Sequence, residues 1–207
     1  MASPIAHSFA GFWTSLPLRK CTKTRLTADW RQYVSGLGIL ILLANAPDLD
    51  LLLGNALHRG FTHSVTVAVL ISLTLSCAWR IVPGFWRSTS LYFTAYSSHL
   101  LIDFFTGTRI GWTNSGFGMP LFWPWPETFS SPLILVFGIH HKDFAALFSL
   151  DNVRACTYET LIFGAITVVP PLLWKRKLKS RILRKPKLKS RINHPISEAA
   201  ISLLSDP

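Results

Sequence analysis

The stretch SVTVAVLISLTLSCAWRIVPGFWRSTSLYFTAYSSHLLIDFFT, residues 64–106, decides how the chain folds. Ser64 to Val82 is apolar except for Arg80 at its far end, Pro83-Gly84 turns the chain, and Thr89 to Thr106 is a second apolar run. Proline next to glycine breaks a helix, so the stretch reads as a hairpin of two hydrophobic helices with a short connector. His99 and Asp103 lie four apart in the returning arm and therefore share one helix face. Counted back from the connector, His63 and Asp103 both fall near the open end of the hairpin.

The rest of the chain is as apolar as the hairpin. Its 207 residues are 49% hydrophobic and 15% charged, with a mean hydropathy of +0.34, which is the composition of a membrane protein. Tyr33 to Gly54 is a further apolar stretch, interrupted by Pro47, Asp48 and Asp50. Thr160 to Trp174 is a last span, broken near its end by Pro170-Pro171. Residues 4–18 are apolar but shorter than the roughly 20 residues a crossing helix needs. The expected fold is all-α, an integral membrane bundle of four to five hydrophobic helices in residues 1–174. Residues 107–157, with Trp123-Pro124-Trp125-Pro126, cannot form an ordinary helix there, and most of their tryptophans read as an aromatic belt.

Charge fixes the expected topology. Residues 175–207 hold 10 Lys/Arg and 2 acids, and residues 1–174 hold 11 and 8. The tail contains a direct repeat, Lys177-Leu178-Lys179-Ser180-Arg181-Ile182 and Lys187-Leu188-Lys189-Ser190-Arg191-Ile192. It reads as a disordered cytoplasmic tail drawn to anionic lipid headgroups, with no specific nucleic-acid partner expected. The positive-inside rule then also places the Arg80/Arg87 connector and the basic loop at 19–31 inside, and the open end of the hairpin outside. The amino terminus has no basic residue before Arg19, so a cleavable signal is not expected. Cys21, Cys77 and Cys156 are scattered and form no Cys-x-x-Cys, so any metal would be held by nitrogen and oxygen.

Four stretches place ionisable groups in apolar surroundings: His7, the Asp48/Asp50 run, His58-Arg59-Gly60-Phe61-Thr62-His63-Ser64, and His99/Asp103. Carboxylates facing lipid at mid-helix are costly, so they should point into a bundle or a wet pocket. His58 and His63 are five apart, about 140° around a helix, so both cannot line one continuous face. Gly60 is expected to break the backbone between them, with Thr62 or Ser64 capping the following helix and His63 in its first turn. Asp48 and Asp50 are two apart and cannot point the same way; one ligates while the other orients a histidine. His7, Asp48, His63, His99 and Asp103 together make a cysteine-free ligand set for one or two Zn2+-like ions, with His58, Arg59 and Asp50 as acid/base, substrate-binding or orienting groups. Neither Gly-x-Ser-x-Gly nor His-Glu-x-x-His is present.

Pro4-x-x-His7, Pro47-Asp48-x-Asp50, the unbroken His58–Ser64 run, Ser98-His99-x-x-x-Asp103 followed by Thr106-Gly107, and the Trp-Pro-Trp segment resemble the YdjM-type family. Its members are bacterial inner-membrane, LexA-regulated predicted metal-dependent hydrolases. The order His, Asp, His, His-x-x-x-Asp is more distantly similar to the zinc-dependent phospholipase C enzymes, all-helical proteins with a zinc cluster. That likeness implies the same five ligands and leaves His140, His141 and Glu159 as the candidates for downstream ones. The resemblances imply a membrane-bound hydrolase of phosphoester or lipid-linked substrates. A small proton or ion transporter using intramembrane His and Asp, or a silent membrane scaffold, are the competing expectations.

Overall fold

The computed structural model describes residues 2–18, 30–53, 58–139 and 149–184. Two compact units divide it, residues 1–168 and residues 169–207. The fold is mostly helical. Helix α1 spans Pro4–Ser15, with Ser3 as its N-cap accepting from the Ile5 N–H at 3.2 Å and proline at its first position, where no amide hydrogen is needed. Helix α2 spans Trp30–Asn45 and passes into a 3-10 turn over Ala46–Leu53. Pro47 has no N–H for the helical ladder, which is why the α-helix stops there.

Helices α3, Val65–Ala78, and α4, Phe85–Phe104, form the expected hairpin. Ser64 caps α3 by accepting from the Val67 N–H at 3.2 Å. Gly84 starts α4 at φ +104°, in the left-handed region that disfavours any side chain. Tyr92 donates to the Trp79 carbonyl and Tyr96 to the Thr62 carbonyl, fastening α4 to the segments at both ends of α3. Leu40, Leu43, Val67, Leu100 and the two tyrosine rings fill the core between α2, α3 and α4. Helix α5 spans Leu150–Arg184.

The structure corrects several expectations. The described residues are mostly helical, as expected, with two short pairings added: Thr106–Gly107 runs parallel to Val136–Phe137, and Gly111–Trp112 antiparallel to Leu133–Ile134. These two-residue strands close the open end of the hairpin. Pro170 and Pro171 lie inside α5 rather than ending it, since proline's fixed φ is itself helical and only the hydrogen bonds of two amides are lost. The last helix also begins at Leu150, ten residues earlier than expected, and α3 ends at Ala78 rather than reaching Val82. Trp30–Leu51 and Leu150–Lys175 are long and apolar enough to cross a membrane, whereas Val65–Ala78 is apolar but shorter. A bundle of four to five crossing helices is therefore more than the described residues display. The tail repeat falls partly in α5, and residues 185–207 lie outside the described residues, as do His140 and His141.

Helix α1 packs chiefly on α2, and the contact depends on Gly11. A Cβ there would sit 2.7 Å from the Ile41 Cα and 2.9 Å from the Leu40 carbonyl oxygen, backbone atoms that cannot step aside. Gly11→Ala is expected to force the helices apart at a cost of about 1–3 kcal/mol. The readout is the unfolding midpoint in detergent, and an unchanged midpoint would refute this close approach.

Candidate metal centre

The end of α2 builds the first half of the site. Where the α-helix gives way to the 3-10 turn, the Ala44 carbonyl is released from helical bonding, as the last carbonyls of any helix are. His99 of α4 takes it, with Nδ1 2.9 Å from the Ala44 oxygen. A carbonyl only accepts, so Nδ1 carries the hydrogen and Nε2 keeps its lone pair.

His63 is held in the same way by a carboxylate. It lies in a 3-10 turn, Phe61–His63, one residue before the Ser64 cap and so not within α3 itself. Its Nδ1 stands 3.1 Å from the Thr62 hydroxyl and 3.4 Å from Asp50 Oδ2, and the Thr62 hydroxyl donates to that oxygen at 2.7 Å. The hydrogen therefore sits on Nδ1 and runs toward Asp50, leaving Nε2 with its lone pair. Burial pushes His63 toward the neutral form, but the Asp48 and Asp50 carboxylates outweigh it and raise its pKa above the ordinary histidine value.

The two Nε2 atoms then face each other at 3.3 Å. Asp48 Oδ1 lies 3.4 Å from His99 Nε2 and 3.6 Å from His63 Nε2, and Asp103 Oδ2 lies 3.9 and 3.8 Å from the same atoms. Ligand bonds of about 2.0–2.2 Å in a tetrahedral zinc site imply ligand-to-ligand edges of about 3.3–3.6 Å. The four groups thus stand close to the edges of one tetrahedron, and their ligand atoms all lie within 4.8 Å of one another.

His7 faces the other side of both carboxylates. Its Nε2 is 3.5 Å from Asp103 Oδ1 and 3.9 Å from Asp48 Oδ2, and its ring stacks on His99 with centroids 3.8 Å apart. His7 is fully buried, yet neither of its nitrogens makes a hydrogen bond, and neither do the Asp48 oxygens. Buried polar atoms normally find partners, so this donor set fits a cation that supplies the missing one. His/Asp chemistry without sulfur suits zinc or a similar divalent ion.

Around this core the structure gathers the remaining sequence candidates. His58 Nδ1 lies 2.8 Å from Asp50 Oδ1, so Asp50 serves both loop histidines. Arg59 donates from Nη2 to Asp103 Oδ2 at 3.1 Å and lies over the Phe117 ring at 4.9 Å. The backbone break spans Arg59, at φ +61°, and the expected Gly60, whose ψ of −146° is also non-helical. Asp48 stands with His63, His99 and Asp103, whereas Asp50 stands with His58 and His63, a second group whose atoms could hold an ion. Three contributors escaped sequence reading: the Ala44 carbonyl, the Thr62 hydroxyl, and the Ala2 N–H, which donates to Asp103 Oδ1 at 3.0 Å. Glu159, a candidate downstream ligand, instead bonds Ser3.

A model of the YdjM inner membrane protein family matches residues 1–178. The chain belongs to this family. Membership makes it an inner membrane protein, in keeping with its composition and its two helices of crossing length. The YdjM match takes in every residue of the His/Asp cluster and stops at the start of the first copy of the basic repeat. No curated protein and no solved structure matched the chain.

Proposed function

We propose that this YdjM-family protein is a membrane-bound metal-dependent hydrolase acting on phosphoester or lipid-linked substrates. One observation carries the reading: two buried imidazoles, each with its Nδ1 committed to an acceptor, point their Nε2 atoms at one another at 3.3 Å. At that distance a positive centre belongs between the two nitrogens, a shared proton or a metal ion, and the partnerless His7 nitrogens and Asp48 oxygens beside them favour the metal. One or two zinc-type ions would be held by Asp48, His63, His99 and Asp103, with His7 completing the set. Such an ion acts as a Lewis acid and lowers the pKa of water to about 7.

The chain's own residues supply the rest. Asp50 fixes the His58 ring through Nδ1, which leaves Nε2 as the atom that takes or gives a proton. Arg59 keeps one nitrogen on Asp103, while its buried Nη1 makes no hydrogen bond. That nitrogen suits an oxygen of an anionic substrate. Exposed Phe61, Trp123 and Trp125 surround this end of the hairpin, and exposed Trp79 and Trp86 mark the other. Aromatics at two levels fit two bilayer interfaces and favour a lipid-borne substrate reaching the site laterally. Several crossings, with the site on the outer face and the basic tail in the cytoplasm against anionic headgroups, complete the proposal.

The test is metal content and turnover of the purified full chain. About one to two zinc equivalents per chain are expected, with hydrolysis of bis(4-nitrophenyl) phosphate or of a phospholipid in vesicles lost on chelation and restored by zinc. Proton-coupled flux from protein that binds no metal would instead establish a transporter.

A further inference from the structure

We propose that Glu159 is a positioning residue for the metal centre: it latches the amino-terminal turn of α1 so that His7 is presented to Asp48 and Asp103. The inference rests on the metal-centre reading above. His7 is the one member of the cluster carried by α1, a helix of twelve residues, so whatever fixes the start of α1 fixes that imidazole. Glu159 is fully buried on α5. Its carboxylate accepts from the Ser3 N–H at 3.1 and 3.2 Å and from the Ser3 hydroxyl. Ser3 is the α1 N-cap, and one residue before it Ala2 donates to Asp103. Residues 2 and 3 therefore join Glu159 on one side to a metal-ligand candidate on the other, and His7 follows one helical turn later. A buried carboxylate needs such donors, and the amino end of a helix is where it is best placed.

Glu159, Phe163 and Thr167 recur every four residues and so form one stripe on α5. Phe163 packs against Phe9 and Trp13, and Thr167 accepts from the Trp13 indole N–H at 2.8 Å. The lower two members of the stripe grip the body of α1, and only Glu159 grips the turn that leads to His7. Merely structural docking and positioning of the ligand can therefore be separated.

Zinc affinity of the full chain in detergent, measured by competition with a chromophoric chelator, provides the test. Second-layer partners of metal ligands typically govern about 10–100-fold in affinity. Glu159→Ala is expected to weaken zinc within that range and by the same factor as His7→Ala, with the double variant no weaker than His7→Ala alone. Glu159→Gln, which still accepts from the Ser3 N–H, should stay near wild type, and so should Thr167→Val, which loosens α1 without touching the turn. Wild-type affinity in Glu159→Ala overturns the proposal. So does a loss in Glu159→Gln as large as in Glu159→Ala, which would make Glu159 a ligand, or an equal loss in Thr167→Val. Absence of zinc from the wild type would defeat the metal-centre reading itself and this one with it.

Discussion

Asp103→Ala is expected to empty the metal centre and to lower stability by about 3–5 kcal/mol, the cost of stranding a buried charge. Asp103 is fully buried at the last turn of α4. Its Oδ1 accepts the Ala2 N–H, its Oδ2 accepts Arg59, and both oxygens approach candidate ligand imidazoles. Alanine would leave the half-buried Arg59 guanidinium without its counter-charge and remove a carboxylate that, like Asp48, reaches α1, α4 and the His58–Ser64 loop together. Asp103→Asn separates the two effects, because an amide oxygen can still accept from Ala2 or Arg59 while the ligand charge is gone. It should lose zinc with a smaller drop in the unfolding midpoint. Metal analysis and chemical unfolding in detergent read these outcomes, and wild-type zinc content in the His63→Ala/Asp103→Ala double variant would sink the ligand assignment.

The helical hairpin and its His99/Asp103 pair were legible because both signals are local: a hydrophobic run, a Pro-Gly break, and a spacing of four. The meeting of His7, the Asp48/Asp50 run and His63 with that pair followed from cost, since ionisable groups in apolar surroundings have to find one another. What stayed hidden depends on backbone atoms or on very short elements. Two-residue strands show no alternation, so the pairing of Thr106–Gly107 with Val136–Phe137 left no trace in the pattern. The Ala44 carbonyl is invisible to any reading of side chains, though Pro47 three residues later marks where carbonyls come free. Glu159 entered only through the phospholipase C likeness, as a candidate downstream ligand, and its partner at residue 3 lies 156 positions away.

The site's chemistry and its membrane setting also constrain each other. At 1.5 Å per residue, α3 is about 21 Å long, less than the roughly 30 Å of hydrocarbon in a bilayer. That arm alone falls short of a full crossing, whereas the 20 residues of α4 reach about 30 Å. Exposed Trp123, whose carbonyl accepts from Thr66 near the start of α3, and Trp125 add aromatics at the site end. In the membrane setting proposed above, a cluster at that level would reach headgroups without lying in hydrocarbon, where a His/Asp site and the Arg59 guanidinium would be least costly.

Asp50→Asn is the second large effect, expected to weaken zinc by about 10–100-fold, as loss of an orienting carboxylate does at other metal sites. Asp50 lies outside the Asp48/His63/His99/Asp103 group proposed to hold the ion. It works through two histidines, accepting the Thr62 relay that holds His63 Nδ1 and lying 2.8 Å from His58 Nδ1. An amide in its place presents only one acceptor oxygen, so it can serve one histidine and not both. The two roles have different readouts. Misorientation of His63 raises the zinc Kd, whereas misorientation of His58 lowers kcat even when zinc is saturating. Thr62→Val cuts the relay to His63 alone and should move only the first. Wild-type zinc affinity in Asp50→Asn would show that His63 is held by packing instead. A kcat fully recovered at saturating zinc would remove His58 from the proton-transfer role and leave Arg59 as the remaining candidate of the loop for contact with substrate.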